Sequence, residues 1–308
     1  MRTAPIFPAI APVTLVATLI ANPRAPAISE AVLREARAAL GTAHPARRLH
    51  GEAAADVLFD GPEVEERAQA IRTALAGLPI DIVVQPAKRR RKHLFLADMD
   101  STMIEQECID ELADFVGLKK EVAAITERAM RGEVAFEPAL RERLALLEGL
   151  PAGVVDEIVA KRITLTPGGR TLVATMRAHG AYTCLVSGGF TLFTGPVGHK
   201  IGFDEHRSNR LVVANEKITG RVEEPILGRE AKLATLIELR NRLGLAQEDT
   251  MAVGDGANDL AMLGEAGLGV AFHAKPAVAA AAQARIDHGD LTALLYIQGY
   301  AAAEFVGG

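Results

Sequence analysis

The chain has 308 residues, of which 49% are hydrophobic and 24% charged, so it can build sizeable cores and is neither disordered nor collagen-like. Its 34 Lys and Arg against 39 Asp and Glu give a net charge of −5, which excludes the global positive field that non-specific nucleic-acid binding needs. Two cysteines, Cys108 and Cys184, are too few for a disulfide scaffold or a four-ligand zinc site and indicate a reducing compartment.

The N-terminal stretch 6–21 is apolar and follows Arg2, which gives it some features of a signal peptide. Prolines 5, 8 and 12 break this stretch, and residues 13–21 alternate and are β-branched at several positions, which favours a strand. No run approaches the ~20 apolar residues of a membrane-spanning helix. We therefore expect a cytoplasmic protein that has neither a membrane nor a nucleic acid as a partner.

Residues 1–86 are predicted to form one domain. The predicted elements are a strand over 13–21, a helix over 29–40 with Ser29 as N-cap, strands over 46–50 and 54–59, a helix over 63–76 and a strand over 80–84. This βαββαβ order is the ferredoxin-like plan, in which both helices cover one face of an antiparallel sheet. The plan is ACT-like, which makes serine or another amino acid a candidate effector and a homodimer a candidate assembly.

A basic segment, Lys88 to Lys92, follows this domain. Five cations in a row repel one another and favour a solvated, extended chain. A role in nucleic-acid binding is the alternative, but the net negative charge favours a hydrophilic linker over 87–92.

From residue 93 to residue 308 the pattern predicts an α/β domain with a Rossmann-like open parallel sheet. Short apolar strands are predicted at 93–97, 181–186, 250–253 and 268–271, and each ends in a polar, acidic or Gly-rich loop. Such a sheet collects its active site at the carboxyl ends of its strands. A helical segment at about 105–165 interrupts the alternation, and residues 209–224 are predicted to form an antiparallel hairpin appended to the sheet.

Two acidic clusters directly follow predicted strands. Asp98 and Asp100 project on one side of an extended chain, so they can share a metal ion or divide nucleophilic and acid–base roles. Asp255 and Asp259 lie in a second loop with Gly254. Carboxylates gathered at one sheet edge repel one another unless a cation lies among them, so a helix cap or a plain turn explains the two clusters less well.

Two further residues are weak signals by themselves. Ser187 and Gly188 follow the strand at 181–186 and can present a hydroxyl and backbone N–H groups to a phosphate. Lys232 lies near the start of a predicted helix over 230–243. Taken alone, the first is an ordinary turn and the second a surface lysine.

The four pieces in this order resemble the haloacid dehalogenase superfamily of phosphotransferases. Asp98 to Thr102 (DMDST) is similar to its first motif, Ser187 to its second, Lys232 to its third and the stretch 254–260 (GDGANDL) to its fourth. The resemblance covers about residues 93–290. Within the superfamily, the inserted stretches around Glu107 and at 129–150 resemble the cap of the phosphoserine phosphatases.

The resemblance implies a Mg²⁺-dependent hydrolysis of phosphoserine through an aspartyl-phosphate. Asp98 is then the nucleophile and Asp100 the proton donor and acceptor. Asp98, the backbone carbonyl of Asp100 and Asp255 are the implied Mg²⁺ ligands. The resemblance also implies that the phosphate or the leaving group is bound by Ser187, Gly188, Lys232 and Asn258, and that Asp259 orients Lys232 or a water. In the cap it implies that Glu107 binds the substrate ammonium and Arg143 the substrate carboxylate. Met130 and Phe136 would close over the substrate.

Three alternatives remain open at this level. A signalling receiver domain also places acids at strand ends, although it needs neither a second acid two residues after the nucleophile nor a cap. An amino-acid-binding regulator would use the ACT-like domain, although its loop at 22–26 lacks glycine. A phosphatase or phosphotransferase for another small phosphomonoester, such as homoserine phosphate, is the alternative within the enzyme class.

Overall fold

The computed structural model describes residues 14–61, 64–130 and 133–307, without the side chains of residues 64, 129 and 130. Met130 is one of the predicted substrate contacts, but its side chain lies outside the part of the chain that the structure describes.

The N-terminal elements form a four-stranded antiparallel sheet covered by two helices. In chain order they are β1 (Thr14–Ala21), α1 (Glu30–Leu40), β2 (Arg47–His50), β3 (Ala54–Asp60), α2 (Val64–Ala74) and β4 (Ile80–Pro86). The strand order is β2-β3-β1-β4, so the predicted ferredoxin-like fold is confirmed. Ser29 caps α1 by accepting a hydrogen bond from the Val32 N–H at 3.4 Å.

A second sheet has six strands, and each strand is parallel to its neighbours. They are β5 (Leu94–Ala97), β6 (Tyr182–Phe190), β7 (Glu205–Asn209), β10 (Thr250–Gly254), β11 (Leu268–Phe272) and β12 (Ala284–Ile286), in the order β12-β11-β10-β5-β6-β7. The predicted open parallel sheet is confirmed. Helices lie along it: α7 (Gly169–Ala178), α8 (Thr191–Ile201), α9 (Arg229–Arg242), α10 (Leu260–Glu265), α11 (Pro276–Ala281) and α12 (Ala293–Ile297).

Four helices between β5 and α7 form the inserted segment. They are α3 (Cys108–Phe115), α4 (Lys119–Met130), α5 (Phe136–Ala145) and α6 (Val154–Lys161). The predicted antiparallel hairpin is confirmed as β8 (Leu211–Ala214) and β9 (Lys217–Val222), but it forms a separate two-stranded sheet and does not join the large one, so that part of the prediction is wrong. Ile218 instead exchanges backbone hydrogen bonds with Gly149 and Leu150 of the insertion, both at 2.8 Å. The hairpin therefore supports the helical segment that we call the cap.

Several elements are absent from the sequence prediction for recognisable reasons. Strand β7 has the sequence EHRSN, and its pattern is too polar to predict a buried strand. Helix α8 contains Pro196 and two glycines, which disfavour a helix interior. Both elements form because tertiary packing outweighs these local preferences: Phe193 and Val197 of α8 are buried, as are Ser208 and Asn209 of β7.

The basic segment at 88–92 is not the fully solvated chain that charge repulsion predicts. The Arg90 guanidinium binds the buried Asp56 of β3, with Nη2 at 2.7 Å from Oδ2. Arg91 stacks over the ring of Tyr300 with its Cζ 4.0 Å from the centroid, and Lys92 donates from Nζ to the Glu248 carbonyl at 2.5 Å. Arg90, Arg91 and Lys92 thus have a carboxylate, an aromatic face and a carbonyl as partners, while Lys88 and Arg89 are exposed to solvent.

The two sheets also share a core and buried hydrogen bonds. Ile20 and Val83, on the helix-free face of the first sheet, belong to the same cluster of buried side chains as Tyr296 of α12. Asp81 of β4 accepts from the backbone N–H groups of residues 287–289 at 2.8 to 3.2 Å. The division into 1–86, 87–92 and 93–308 stays a prediction. Within the described ranges, no helix combines the length and apolar character needed to cross a bilayer.

Candidate active site

The carboxyl ends of β5, β6 and β10 meet at the middle of the parallel sheet. Asp98 follows β5 directly, and its N–H donates to the Val253 carbonyl of β10 at 3.0 Å. The chain then makes a tight helical turn over Met99–Met103, in which Ser101 has a positive φ of 54°. This turn places Asp98 and Asp100 beside each other beneath the cap.

Lys232 of α9 lies beneath this edge as a buried cation, with 2% of the residue exposed. Its Nζ is 2.7 Å from Oδ1 of Asp98 and 2.7 Å from Oδ1 of Asp259. Burial by itself lowers the pKa of Lys232, but the two carboxylates outweigh burial and raise it above its usual range. The ammonium is therefore charged and fixed between two of the predicted site residues.

Three carboxylates form a cluster suited to a divalent cation. Asp98, Asp255 and Asp259 each offer an oxygen within 4.8 Å of the others. Burial and the charge of Asp259 raise the pKa of Asp98 well above its usual range, and the same two causes, with Glu107, raise that of Asp255 to about 6. Carboxylates that repel one another at this distance are stabilised by a hard cation that prefers oxygen ligands.

The close fit of the fourth-motif loop depends on glycine. A Cβ on Gly254 would lie 2.4 Å from the Asp259 carboxyl carbon, so only glycine lets that carboxylate turn toward Lys232. The Gly256 N–H donates to Oδ2 of Asp259 at 3.1 Å, and the Thr102 hydroxyl donates to Oδ1 of Asp255 at 3.4 Å. These contacts orient the second acidic pair toward the first.

Asp100 differs from the clustered carboxylates because its side chain turns to the cap. Its Oδ1 accepts from the Cys108 N–H at 3.3 Å. Burial, reinforced by the charge of Glu107, raises the pKa of Asp100 to about 7. A carboxyl group with this pKa holds and releases a proton near neutral pH, which is what general acid–base catalysis requires.

Ser187 lies within β6, two residues beyond the last residue that pairs with β5. Its Oγ accepts from the Gly189 N–H at 2.9 Å. A Cβ on Gly189 would lie 3.0 Å from this Oγ and 3.3 Å from Oδ2 of Asp100. The Gly-rich turn therefore keeps the hydroxyl, the backbone and the acid within reach of one small group.

A cavity of about 170 Å³ joins these residues to the cap. Its lining includes nine of the predicted site residues: Asp98, Asp100, Glu107, Phe136, Arg143, Ser187, Gly188, Asp255 and Asn258. Lys232 and Asp259 contact Asp98 and Gly256 from behind this lining. The structure thus brings together every predicted site residue whose side chain it describes.

The cap residues are held in different ways. Glu107 accepts from the Ser101 hydroxyl at 2.7 Å. The Arg143 guanidinium donates from Nε to the Ala139 carbonyl at 3.2 Å. Phe136 is 43% exposed, and its ring lies over the glycines of the sheet domain, 3.6 Å from the position of a Cβ on Gly188. The cap therefore supplies an anion, a cation and an aromatic cover to one cavity.

The sequence prediction missed several lining residues. Four of them are Ile109, Leu140, Phe190 and Lys275. The three apolar residues resemble ordinary core positions in the sequence. Lys275 lies just after β11, which is the neighbour of β10 in the sheet. The principle that active-site residues follow the carboxyl ends of parallel strands would therefore have identified it too.

Comparison with known proteins agrees with this geometry. Residues 95–264 match the haloacid dehalogenase-like hydrolase model. A phosphoserine phosphatase of Albidiferax ferrireducens is 47% identical over 229 residues, which are 72% of this chain and 97% of the relative. A solved probable phosphoserine phosphatase of Vibrio cholerae, in unliganded form, has a TM-score of 0.76 and 30% identity, covering 95% of this chain and 88% of that one. A phosphoserine phosphatase solved as a phospho-aspartyl intermediate analogue has a TM-score of 0.62 and 41% identity, covering 67% of this chain and 98% of that one.

Proposed function

The chain belongs to the haloacid dehalogenase-like hydrolases, and from this premise we propose how its active site hydrolyses phosphoserine. The enzyme converts phosphoserine to serine and phosphate. The observation that carries the proposal is the single cavity in which the nucleophile candidate Asp98, the acid Asp100 and the cap pair Glu107 and Arg143 all take part. A phosphomonoester bound there meets all the groups that its hydrolysis needs.

In the first half-reaction, an Asp98 carboxylate oxygen attacks phosphorus, and the bond from phosphorus to the serine oxygen breaks. Asp100, protonated because its pKa is about 7, gives its proton to the departing serine oxygen. Lys232 stabilises the charge of Asp98 from behind at 2.7 Å. The first half-reaction therefore ends with an aspartyl-phosphate and neutral serine.

In the second half-reaction, water attacks the phosphorus of the aspartyl-phosphate. Asp100, now ionised, takes a proton from that water, and the bond to the Asp98 oxygen breaks. Phosphate is released, and both aspartates return to their starting states. The Ser187 hydroxyl, the Gly188 backbone and Asn258 line the cavity where the phosphoryl oxygens lie in both steps.

We propose Mg²⁺ as the cation of the acidic cluster. The carboxylates of Asp98 and Asp255 and the backbone carbonyl of Asp100 would hold it, while Asp259 fixes Lys232 at 2.7 Å. The donors are oxygens only, which suits Mg²⁺ better than zinc. The ion would neutralise negative charge on the phosphoryl group.

Specificity for phosphoserine follows from the cap. Glu107 binds the substrate ammonium and Arg143 its carboxylate, because a planar guanidinium matches two carboxylate oxygens. Phe136 covers the substrate and excludes water, which strengthens both ion pairs. The contact from Met130 stays a prediction.

Three further proposals concern the whole chain. The N-terminal sheet remains a candidate site for serine or another amino-acid effector, and a homodimer remains the candidate assembly. A cytoplasmic location is supported by the free and buried thiols of Cys108 and Cys184.

The decisive experiment measures phosphate release from phosphoserine, phosphothreonine, homoserine phosphate and p-nitrophenyl phosphate, each with Mg²⁺ and with EDTA. We expect the highest kcat/KM for phosphoserine and loss of activity in EDTA that Mg²⁺ restores. A preference for homoserine phosphate would contradict the substrate assignment. Asp98→Asn should reduce kcat by more than about 10³-fold, and residual activity within about tenfold of the unsubstituted enzyme would rule out the covalent mechanism.

A further inference from the structure

Lys275, which lines the active-site cavity from the end of β11, has no role in the mechanism above. We propose that its ammonium binds the phosphate dianion of the substrate as it enters the cavity and binds the phosphate product before release. This inference rests on the proposed function, because it assigns one more contact to the same phosphate group.

The backbone around Lys275 holds the residue beside the acidic loop. Strand β11 pairs in parallel with β10, so their carboxyl ends lie side by side. The Lys275 N–H donates to the Asp255 carbonyl at 3.3 Å, and its own carbonyl accepts from Val278 and Ala279 in the first turn of α11. These contacts use main-chain atoms only, which leaves the side chain for another partner.

The ammonium of Lys275 is available to bind an anion in the cavity. Lys232 is buried and bonded to two carboxylates, and Arg143 belongs to the cap. Lys275 is exposed, and none of the residues that the structure describes forms a salt bridge with it. The cavity mouth therefore presents a positive charge that the described part of the chain does not use in an ion pair.

The charges around the cavity explain why such a cation is needed. Asp98, Asp100, Glu107 and Asp255 line the cavity, and the proposed Mg²⁺ and the proton on Asp100 neutralise only part of this negative charge before a phosphate dianion enters. Lys275 lies beside this wall, because it lines the same cavity as Asp255 and its N–H donates to the Asp255 carbonyl at 3.3 Å. A cation at the mouth offsets the repulsion during entry and increases the association rate.

The test compares Lys275→Met with Lys275→Arg, and Lys200→Met serves as the matched control. Lys200 is an exposed lysine in the last turn of α8, outside the cavity lining, so its loss removes the same charge elsewhere. For Lys275→Met we expect kcat/KM for phosphoserine to fall about tenfold at low salt, with kcat within about twofold. The salt dependence of kcat/KM should become weaker, and both Lys275→Arg and Lys200→Met should stay close to the unsubstituted enzyme.

Direct binding of inorganic phosphate provides a readout that does not depend on the substrate assignment. Calorimetry in the presence of Mg²⁺ should show weaker phosphate binding by Lys275→Met than by the unsubstituted protein and by Lys200→Met. This result would support the inference even if phosphoserine proved to be a poor substrate. Failure of the proposed function alone would instead show as absent turnover with phosphate binding still dependent on Lys275.

Three results would overturn the inference. The first is a Lys275→Met enzyme whose kcat/KM and phosphate affinity stay within about twofold of the unsubstituted values. The second is a loss confined to kcat, which would place the effect in the chemical step. The third is a loss of kcat/KM that is fully explained by a lowered Tm or by a higher Mg²⁺ concentration needed for half-maximal activity. Either result would show that Lys275 has a structural role.

Discussion

The Nζ atom of Lys232 lies 2.7 Å from Oδ1 of Asp98, and both residues are buried. Lys232 lies in helix α9 and Asp98 directly follows β5, so the ion pair joins parts of the chain that are distant in the sequence. Asp259 makes a second 2.7 Å contact to the same ammonium. The lysine therefore supports the folded acidic cluster as well as the charge of the proposed nucleophile.

Replacing Lys232 with methionine should destabilise the fold, because three clustered carboxylates would lose their internal cation. We expect the free energy of unfolding to fall by about 3–5 kcal/mol without metal, as for other buried ion pairs that lose one partner. Millimolar Mg²⁺ should recover part of this loss by neutralising the same carboxylates. Urea denaturation with and without Mg²⁺ measures both effects, and Lys200→Met is the control. An equal loss in both media would contradict the metal site.

Asp100→Asn should separate the two half-reactions by their need for an acid. We expect kcat for phosphoserine to fall by about 10²-fold or more, because the serine oxygen leaves poorly without a proton. With p-nitrophenyl phosphate the leaving group departs as the p-nitrophenolate anion and needs no proton, so stopped-flow measurement should still show a rapid burst of p-nitrophenolate. If the burst slows as much as phosphoserine turnover does, Asp100 is not the acid of the first step.

Arg143→Ala should affect substrates according to their carboxylate. We expect kcat/KM for phosphoserine to fall about 10²-fold, which corresponds to losing a charge pair of about 3 kcal/mol. Activity on p-nitrophenyl phosphate, which has no carboxylate, should change little. Arg141→Ala is the matched control, since Arg141 lies on the same helix and pairs with Glu224 at the surface. A parallel loss on both substrates would make Arg143 a structural residue.

Asp81→Ala should weaken the junction between the two sheets. The side chain is buried and accepts from three consecutive backbone N–H groups, which would lose their acceptor. We expect a loss of about 3 kcal/mol in the free energy of unfolding, measured by urea denaturation. Asp60→Ala is the control, because Asp60 pairs with His44 at the surface. Equal stability of the two variants would show that the junction hydrogen bonds contribute little.

The sequence by itself determined many of the local elements and the position in the chain of most candidate site residues. Ser29 and the apolar spacing after it define α1, and an apolar, partly β-branched run indicates β1, because caps and side-chain patterns act within a few residues. Asp98 and Asp255 were identified because each directly follows a buried strand, and Ser187 because it follows the predicted strand at 181–186, although β6 continues through it to Phe190. Residues that follow the strands of a parallel sheet lie at the same edge of the sheet, because all its strands run in one direction.

Only the tertiary structure decided which side chains meet and which surfaces close. Lys232 is indistinguishable in the sequence from a surface lysine, and Arg90 lies in a run of cations that predicts a solvated linker. Lys232 is buried against Asp98, and the side chain of Arg90, 11% exposed, packs against Asp56, so each cation meets a carboxylate from a distant part of the chain. Burial removes water as a partner and makes the ion pair the dominant interaction of the cation. The packing of the sheets, and not a local sequence pattern, decides which residues are buried together.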